Sequence, residues 1–327
     1  MCSAFYITVV QPLSAFTASA DGVKTYSYRS IPLRFTDGKV RILAKSKYIA
    51  YEGLVSKGTA NGMGVLYRKD GSTVYEGQFE NNEFNGTGTS YYPTGQTEYV
   101  GSFQHNVFSG NGRLYRENGS LEYEGGFLEG MKDGAGVLYD SGSNKVFTGN
   151  FSKDHLLYAD FLGKSTAEAA GIYTGKKTAY MDEEYFVVDM ADIDGLYYGK
   201  QSEENLADTV MIEGVYVLKN AFAYGDREYT HIAEIAQLFG EQIYEGNTYL
   251  STSDAVAVHV LNRTEYVLHG DVRGEWEQYL ADAVTVNSYD RSYSAYIYTF
   301  VQEDMRYTFF CKDRGGKFAM YLIEKQE

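Results

Sequence analysis

The chain has few of the residues from which metal sites and disulfide frameworks are built. Its 327 residues include two cysteines, five histidines and three prolines. Cys2 and Cys311 lie at opposite ends and form no Cys-x-x-Cys pair, so neither a disulfide framework nor a zinc site is expected. The histidines, at positions 105, 155, 231, 259 and 269, show no metal-ligand spacing. We therefore expect no metal and no other cofactor.

Positive charge is also scarce. Lysine and arginine number 29 against 44 acidic residues, which gives a net charge of −15 at pH 7. This balance argues against nucleic acid as a partner and against simple adsorption to anionic lipid. Within residues 51–150, seven cations stand among twelve anions, so we expect no basic surface for a phosphoinositide headgroup. A protein partner is expected to be neutral or basic.

Tyrosine and glycine are plentiful instead, with 32 and 35 copies, and this mixture of aromatic and turn residues favours β structure. One three-residue motif recurs every 24 residues: Tyr51-Glu52-Gly53, Tyr75-Glu76-Gly77, Tyr99-Val100-Gly101, Tyr123-Glu124-Gly125 and a weaker Phe147-Thr148-Gly149. Glycine pairs keep the same step: Gly62/Gly64, Gly86/Gly88, Gly110/Gly112 and Gly134/Gly136. Several columns in register over a hundred residues indicate a repeat array.

Each repeat predicts a β-hairpin. A second strand such as Val65-Leu66-Tyr67 follows the glycine pair. The turn signals are Asp70-Gly71, Pro93-Thr94-Gly95, Asn118-Gly119 and Ser141-Gly142. Because side chains alternate along a strand, Tyr75, Gly77 and Phe79 share one face and Glu76 takes the other. We expect the tyrosines to be buried, with the glycines leaving room for their rings and with any positive φ they require. The displayed face is then the acidic one, led by Glu52, Glu76 and Glu124.

These residues resemble the MORN repeat, whose features are Tyr-Glu-Gly, a later Gly-x-Gly and a Leu/Tyr strand. The resemblance covers about a third of the chain. It implies an elongated antiparallel sheet of β-hairpins that acts as a scaffold without catalytic residues of its own. It further implies protein–protein contacts, self-association (here through a sheet edge) and, in some members, membrane lipid binding. The charge count makes anionic lipid a poor candidate here.

Four aromatic residues suggest an interaction site on the array. Phe84 and Phe108 follow short polar stretches where a loop is expected, and Tyr91-Tyr92 places one ring on each sheet face. One interpretation is that these rings pack on the sheet or on the C-terminal domain. The other is a groove lined by aromatic residues for a peptide or a glycan.

The array is preceded by an uncharged segment. No charge occurs before Asp21, and Ala18-Ser19-Ala20 resembles a signal-peptidase site. We assign residues 1–22 to a signal or membrane anchor, which predicts an extracytoplasmic or membrane-anchored protein. The alternative is a strand-forming or disordered tail on a cytoplasmic protein. Residues 23–162 are assigned to the array, with a degenerate leading repeat as its cap, because Gly38 and Ile42 stand 24 residues before Gly62 and Leu66.

Residues 163–327 predict an α+β domain that resembles no family. Helices are expected at 167–173, 229–239, 253–261 and 275–283. Strands are expected at 178–181 and 185–188, at 242–244 and 248–251 around a Gly246-Asn247 turn, and in a meander at 285–289, 293–301, 306–311 and 317–323. The two helix-then-hairpin stretches suggest a duplicated unit.

No catalytic motif appears in the sequence. Asp189, Asp192 and Asp194 have the spacing of a calcium loop but lack the downstream glutamate, so a solvated loop is the better interpretation. Cys311 is expected to be a small strand side chain and not a nucleophile. The sequence thus predicts a non-catalytic scaffold. The alternatives are a glycan- or cell-wall-binding module, and an enzyme hidden in residues 165–327.

Overall fold

The fold is mainly β and forms two compact units. The computed structural model describes residues 16–18, 23–27, 36–44, 46, 48–181, 185–200, 209–225, 227–240, 242–250, 285–287, 292–311 and 313–326. One unit comprises residues 1–145 with 150–154, and the other comprises residues 146–149 with 155–327.

The first sheet has thirteen strands, and each is hydrogen-bonded to the next in chain order. Its strands are β1 (Phe16–Ala18), β2 (Lys24–Ser27), β3 (Gly38–Leu43), β4 (Ile49–Ser56), β5 (Thr59–Tyr67), β6 (Thr73–Glu80), β7 (Glu83–Tyr91), β8 (Thr97–Gln104), β9 (Val107–Tyr115), β10 (Leu121–Leu128), β11 (Met131–Tyr139), β12 (Lys145–Ser152) and β13 (His155–Leu156). Strands β3 to β11 pair antiparallel throughout. The predicted sheet of repeated hairpins is confirmed.

Two kinds of turn alternate along this sheet. The predicted turns occur as five-residue loops between strands, in which Arg68 N–H, for example, donates to the Ser72 carbonyl at 2.8 Å. The other turns have two residues, both with positive φ, as type I′ hairpins require. They are Lys57-Gly58, Asn81-Asn82, His105-Asn106, Glu129-Gly130 and Lys153-Asp154.

In the described residues, the leading cap matches the second strand of a repeat. Strand β3 pairs with β4 as β5 pairs with β6, and Gly38 has a φ of 105° where Gly62 has 95°. Strand β2, however, runs parallel to β3, with Lys24 opposite Val40. Two parallel neighbours cannot form a hairpin, so β2 is not the hairpin partner of β3, and most residues between them lie outside the described ranges.

The second sheet has nine strands in the order β14-β15-β16-β17-β24-β23-β22-β20, with β21 also paired to β22. They are β14 (Lys177–Met181), β15 (Tyr185–Met190), β16 (Gly195–Lys200), β17 (Gly214–Val217), β20 (Tyr244–Leu250), β21 (Thr285–Asn287), β22 (Ser292–Gln302), β23 (Met305–Cys311) and β24 (Phe318–Lys325), while β18 (Phe222–Tyr224) and β19 (Arg227–Tyr229) form a separate hairpin. The core of this unit includes Val187, Val215, Phe300 and Phe309, all with no exposed surface.

Several predictions for this unit hold. The predicted meander and the β14–β15 hairpin are confirmed. Helix α1 (Thr166–Ile172) begins at a capping box in which Ser165 and Glu168 satisfy each other's backbone N–H groups.

Other predictions for this unit are wrong. Helix α2 begins later than expected and spans Ile232–Phe239, because Tyr229 belongs to β19. No turn forms at Gly246-Asn247, since both residues pair with β22 inside the single strand β20. The predicted duplication therefore fails, and the helices expected at 253–261 and 275–283 lie outside the described residues.

Candidate interaction surface of the repeat array

One face of the array, which we call the inner face, carries the repeat tyrosines. Tyr51, Tyr75, Tyr99 and Tyr123 are at most 5% exposed. Each hydroxyl donates to the carbonyl three residues further on, at 2.7 to 3.1 Å: those of Leu54, Gln78, Ser102 and Gly126. Burial raises the pKa of Tyr99 and of Tyr123 to about 12, so these phenols stay neutral donors.

The rings lie on glycine pairs of adjacent strands. Gly77 is directly opposite Gly88, and a Cβ atom on either would overlap the hydroxyl of Tyr75. The same relation holds for Gly53 with Gly64, Gly101 with Gly112 and Gly125 with Gly136. Room for the rings is confirmed as the role of these glycines. Positive φ occurs elsewhere, at Gly62, Gly86, Gly110 and Gly134.

Phenylalanines join the tyrosines into one continuous ladder of rings. The rings alternate edge to face, with centroids 5.0 to 5.2 Å apart, in the order Tyr51, Phe79, Tyr75, Phe103, Tyr99, Phe127, Tyr123 and Phe151. This geometry suits the quadrupoles of the rings. Tyr75, Tyr99 and Tyr123 thus each contact the phenylalanine of their own hairpin and that of the next, so the ladder couples neighbouring hairpins.

Phe84 and Phe108 belong to this ladder and do not form an exposed groove. Phe84 stacks on Tyr75 and Phe108 on Tyr99, with centroids 3.9 Å apart in both pairs. Phe108 is 6% exposed. The two-residue turns return the chain so that these rings fall on the inner face opposite Phe79 and Phe103. The interaction role predicted for Phe108 is therefore wrong, and packing on the sheet is the observed alternative.

The fourth repeat replaces this stacked ring with a cation. Lys132 is opposite Phe127, as Phe108 is opposite Phe103. Its ammonium group pairs with Glu122 at 2.8 Å and lies 5.7 Å from the centroid of the Tyr123 ring. The cation–π contact and the ion pair occupy the place that stacking takes in the second and third repeats.

Tyr92, another predicted interaction residue, connects two repeats. Its hydroxyl donates to the Tyr115 carbonyl at 2.7 Å. At the equivalent positions Arg68 donates to the Tyr91 carbonyl at 2.5 Å, and Arg116 to the Tyr139 carbonyl at 2.6 Å. These donors stand 24 residues apart, a column that sequence reasoning missed because its residue type varies.

The opposite, outer face carries the predicted glutamates. Cross-strand pairing places one row of side chains in the order Arg41, Glu52, Val65, Glu76, Thr89, Val100, Arg113, Glu124 and Val137. Two residues further along the second strands lies a column of half-buried tyrosines: Tyr67, Tyr91, Tyr115 and Tyr139. Of the predicted interaction residues, the structure thus brings Glu52, Glu76, Glu124 and Tyr91 together on one face.

Two of the three glutamates are paired within the chain. Glu52 accepts from Arg41 at 2.8 Å and also contacts Lys39, and these bonds hold the pKa of Glu52 below its usual value. Glu124 pairs with Arg113 at 2.7 Å. Glu76 is exposed, its cross-strand neighbours are Val65 and Thr89, and in the described part of the chain it forms no ion pair.

The tyrosine motif occurs once more outside the repeats. The hydroxyl of Tyr173 donates to the Lys176 carbonyl at 2.6 Å, three residues on, and a Cβ atom on Gly175 would contact the Tyr173 ring. Tyr173 also forms a β-bridge with Phe147. The signal was present as Tyr173-Thr174-Gly175, at a spacing of 26 residues from Phe147 and therefore out of step with the array.

The acidic run of the second unit is a solvated loop only in part, because Asp192 is exposed whereas Asp189 is buried in a strand. Asp189 is 7% exposed within β15, and Asp192 accepts from the Lys176 N–H. Among the described residues, no group of three potential ligands could hold a metal ion. Cys311 is buried in β23, as predicted, and burial raises the pKa of its thiol to about 12. No helix in the described ranges is long and apolar enough to span a membrane.

Comparison with known proteins assigns the array. The sequence matches the MORN repeat family at residues 51–73, 75–97, 99–121 and 123–144. No curated protein sequence matches the chain. MORN repeats are in general non-catalytic interaction modules, and no family is assigned to the C-terminal region. The chain therefore contains four MORN repeats, which occupy residues 51–144.

Proposed function

We propose that the chain is a non-catalytic scaffold that binds a neutral or basic protein partner through the outer face of its MORN repeats. The observation that supports this proposal is that the two faces carry different side chains. The inner face is occupied by its own ring ladder, whereas the outer face presents four half-buried tyrosines and a row of glutamates. Tyrosine is enriched in protein interfaces because it offers apolar area together with a hydrogen-bonding group.

The chemistry of the outer face favours this partner over a glycan or an anionic lipid. Leu54, Met63 and Val100 are 41%, 54% and 40% exposed there, among the glutamates. A phosphate-bearing headgroup would meet acidic side chains on this face. The glycan alternative has less support, because Phe108 is buried and the Tyr92 hydroxyl is hydrogen-bonded to the Tyr115 carbonyl. Self-association through a sheet edge stays a prediction.

A peptide-display selection tests the proposal. We expect peptides selected on the full chain to be enriched in lysine and arginine. We also expect them to bind at least about tenfold more weakly to a Tyr67→Ser/Tyr91→Ser/Tyr115→Ser variant, since three interface rings are lost. A Lys69→Ser/Glu117→Ser variant in the exposed loops is the control and should bind normally. Circular dichroism verifies folding. Selected peptides that bind the tyrosine variant normally would contradict the proposal.

The location of the protein is a separate part of the proposal. The uncharged segment before Asp21 supports an extracytoplasmic or membrane-anchored protein. Mass spectrometry of native material tests it, because cleavage of a signal predicts a mature N-terminus near Ala20 and the loss of β1, whereas an anchor keeps the N-terminal segment and β1. An intact Met1 in a soluble cytoplasmic fraction would contradict it.

A further inference from the structure

The outer face contains a carboxylate flanked by two rings. Glu76 is paired across the sheet with Val65 on β5 and with Thr89 on β7. Tyr67 and Tyr91 lie two residues beyond these partners, on the same face. They are therefore the diagonal neighbours of Glu76, a relation within the reach of aromatic side chains. Burial and then the charge of Glu76 raise the pKa of Tyr91, which agrees with this proximity.

The fourth repeat has the same arrangement of a carboxylate and two rings, and there it binds an arginine of the chain. Glu124 has Tyr115 and Tyr139 as its diagonal neighbours, in the same relation. Here the chain supplies its own cation, because Arg113 pairs with Glu124 at 2.7 Å. The Tyr139 hydroxyl also donates to Glu124, at 3.4 Å. Glu124 raises the pKa of Arg113, and the two tyrosines add to this effect. A guanidinium group thus fits beside this carboxylate and its two rings.

The second repeat lacks the cation. In the first and fourth repeats an arginine stands eleven residues before the glutamate, as Arg41 does before Glu52. Val65 occupies this position before Glu76. The nearby Arg68, in the loop after β5, donates instead to the carbonyls of Thr73 and Tyr91. Glu76 is the one glutamate of the row that has two tyrosine neighbours and no arginine from the chain.

We propose that Glu76, Tyr67 and Tyr91 bind an arginine side chain of the partner, which takes the place that Arg113 takes in the fourth repeat. A guanidinium group suits this site because it donates to a carboxylate through a planar fork and also stacks on aromatic faces. The exposed Met63, on the same face, would contact the aliphatic part of the side chain. This inference rests on the proposed function and names the chemistry of the partner.

A pair of matched peptides tests the site on the full chain. The probes are the acetylated and amidated peptide Gly-Ser-Thr-Arg-Thr-Ser-Gly and its counterpart with citrulline, which keeps the shape of arginine and removes the charge. Binding is followed by the backbone amide signals of labelled protein. We expect the arginine peptide to bind at least about tenfold more tightly, as charge-assisted hydrogen bonds predict, and to shift residues 65–91. Equal binding of the two peptides, or no binding, would overturn the inference.

Variants locate the site. Glu76→Gln should reduce the affinity for the arginine peptide at least about tenfold, whereas Glu117→Gln, which removes the same charge from an exposed loop, should not. Val65→Arg should block the site from within the chain. Arg113→Val should open the fourth repeat and raise the stoichiometry from one peptide to two. Normal binding to Glu76→Gln would overturn the inference.

The two proposals can fail separately. Display-selected peptides that lose affinity for the triple tyrosine variant but not for Glu76→Gln would leave the proposed function standing and overturn the arginine site. Discrimination between the two probes that depends on Glu76 would support the site even where display selects no peptide.

Discussion

The inner and outer faces of the array are formed by the same strands but follow different rules. On the inner face every full repeat has a tyrosine at the same position and a glycine two residues later. On the outer face the equivalent residues are Glu52, Glu76, Val100 and Glu124. An inner ring must fit both its own hairpin and the next one, so its identity is constrained by two repeats. An outer side chain contacts only its neighbours on the surface and can vary with the partner.

Lys132 is an exception to the rule that the inner face carries rings at this position. It shows that an inner-face ring can be replaced where a charge partner, Glu122, stands beside it. Its side chain is only 16% exposed and that of Glu122 is 27% exposed, so the ion pair offsets the cost of burying the ammonium group. The ladder constrains volume and contact more strongly than it constrains chemical type.

The largest effect is expected from removing a stacked ring. Phe108→Ala should lower the free energy of unfolding by about 3–4 kcal/mol, because it leaves a cavity where Tyr99 and Phe127 each lose a ring contact. On the outer face Val100→Ala should stay within about 0.5 kcal/mol. Urea unfolding measures both, and hydrogen exchange localises the loss to β8 and β9. Similar losses of unfolding free energy in the two variants would contradict the proposed difference between the faces.

The next effect concerns the room that glycine leaves. Gly88→Ala would place a methyl group into the Tyr75 ring and should cost about 2–3 kcal/mol. The control, Gly95→Ala, has a positive φ but no atom within 4 Å, so backbone strain alone should cost about 1 kcal/mol. Thermal unfolding compares the two. An equal cost would show that backbone conformation, and not the ring, selects glycine in the inner column.

A smaller effect is expected in the loops that join the hairpins. Arg116→Lys should cost about 1–2 kcal/mol, because one ammonium group cannot reach the carbonyls of Leu121, Tyr139 and Asp140 together. The adjacent Glu117→Gln should be neutral within about 0.5 kcal/mol. Urea unfolding at high and low salt checks this value. An unchanged free energy of unfolding in Arg116→Lys would show that these hydrogen bonds to backbone carbonyls do not stabilise the array.

The smallest effect on stability is expected from the ion pair of Arg41 with Glu52 on the outer face. Arg41 lowers the pKa of Glu52 in the folded chain, so the stability from this pair is present above the unfolded pKa and is lost as pH falls through the folded pKa. Glu52→Gln should therefore cost less than about 1 kcal/mol at pH 7 and nothing at pH 2. Unfolding of both proteins across this range measures the difference. A difference that grows toward low pH would contradict the ion pair.

Much of the array could be predicted from its sequence, since the 24-residue step and the alternation of side chains define both faces. A loop is expected before Phe84 and Phe108, but its two-residue type I′ form could not be predicted, because Asn81-Asn82 and His105-Asn106 lack the usual Asn-Gly signal. Sequence parity assigns Tyr92 a face but cannot show that its hydroxyl reaches the next repeat. In the second unit, β17 pairs with β24 more than a hundred residues later, and no local pattern identifies such a partner.

The sequence by itself determined the repeat period, the pairing of tyrosine with glycine and the acidic character of the outer face, because each depends on neighbours along the strand or one period away. Tertiary structure decided which aromatic residues remain available. It placed Phe84 and Phe108 in the ladder, directed Arg68, Tyr92 and Arg116 to backbone carbonyls, and left Glu76 between two tyrosines without an arginine. These outcomes depend on cross-strand register and bulges, which set distances between side chains only once the sheet has formed.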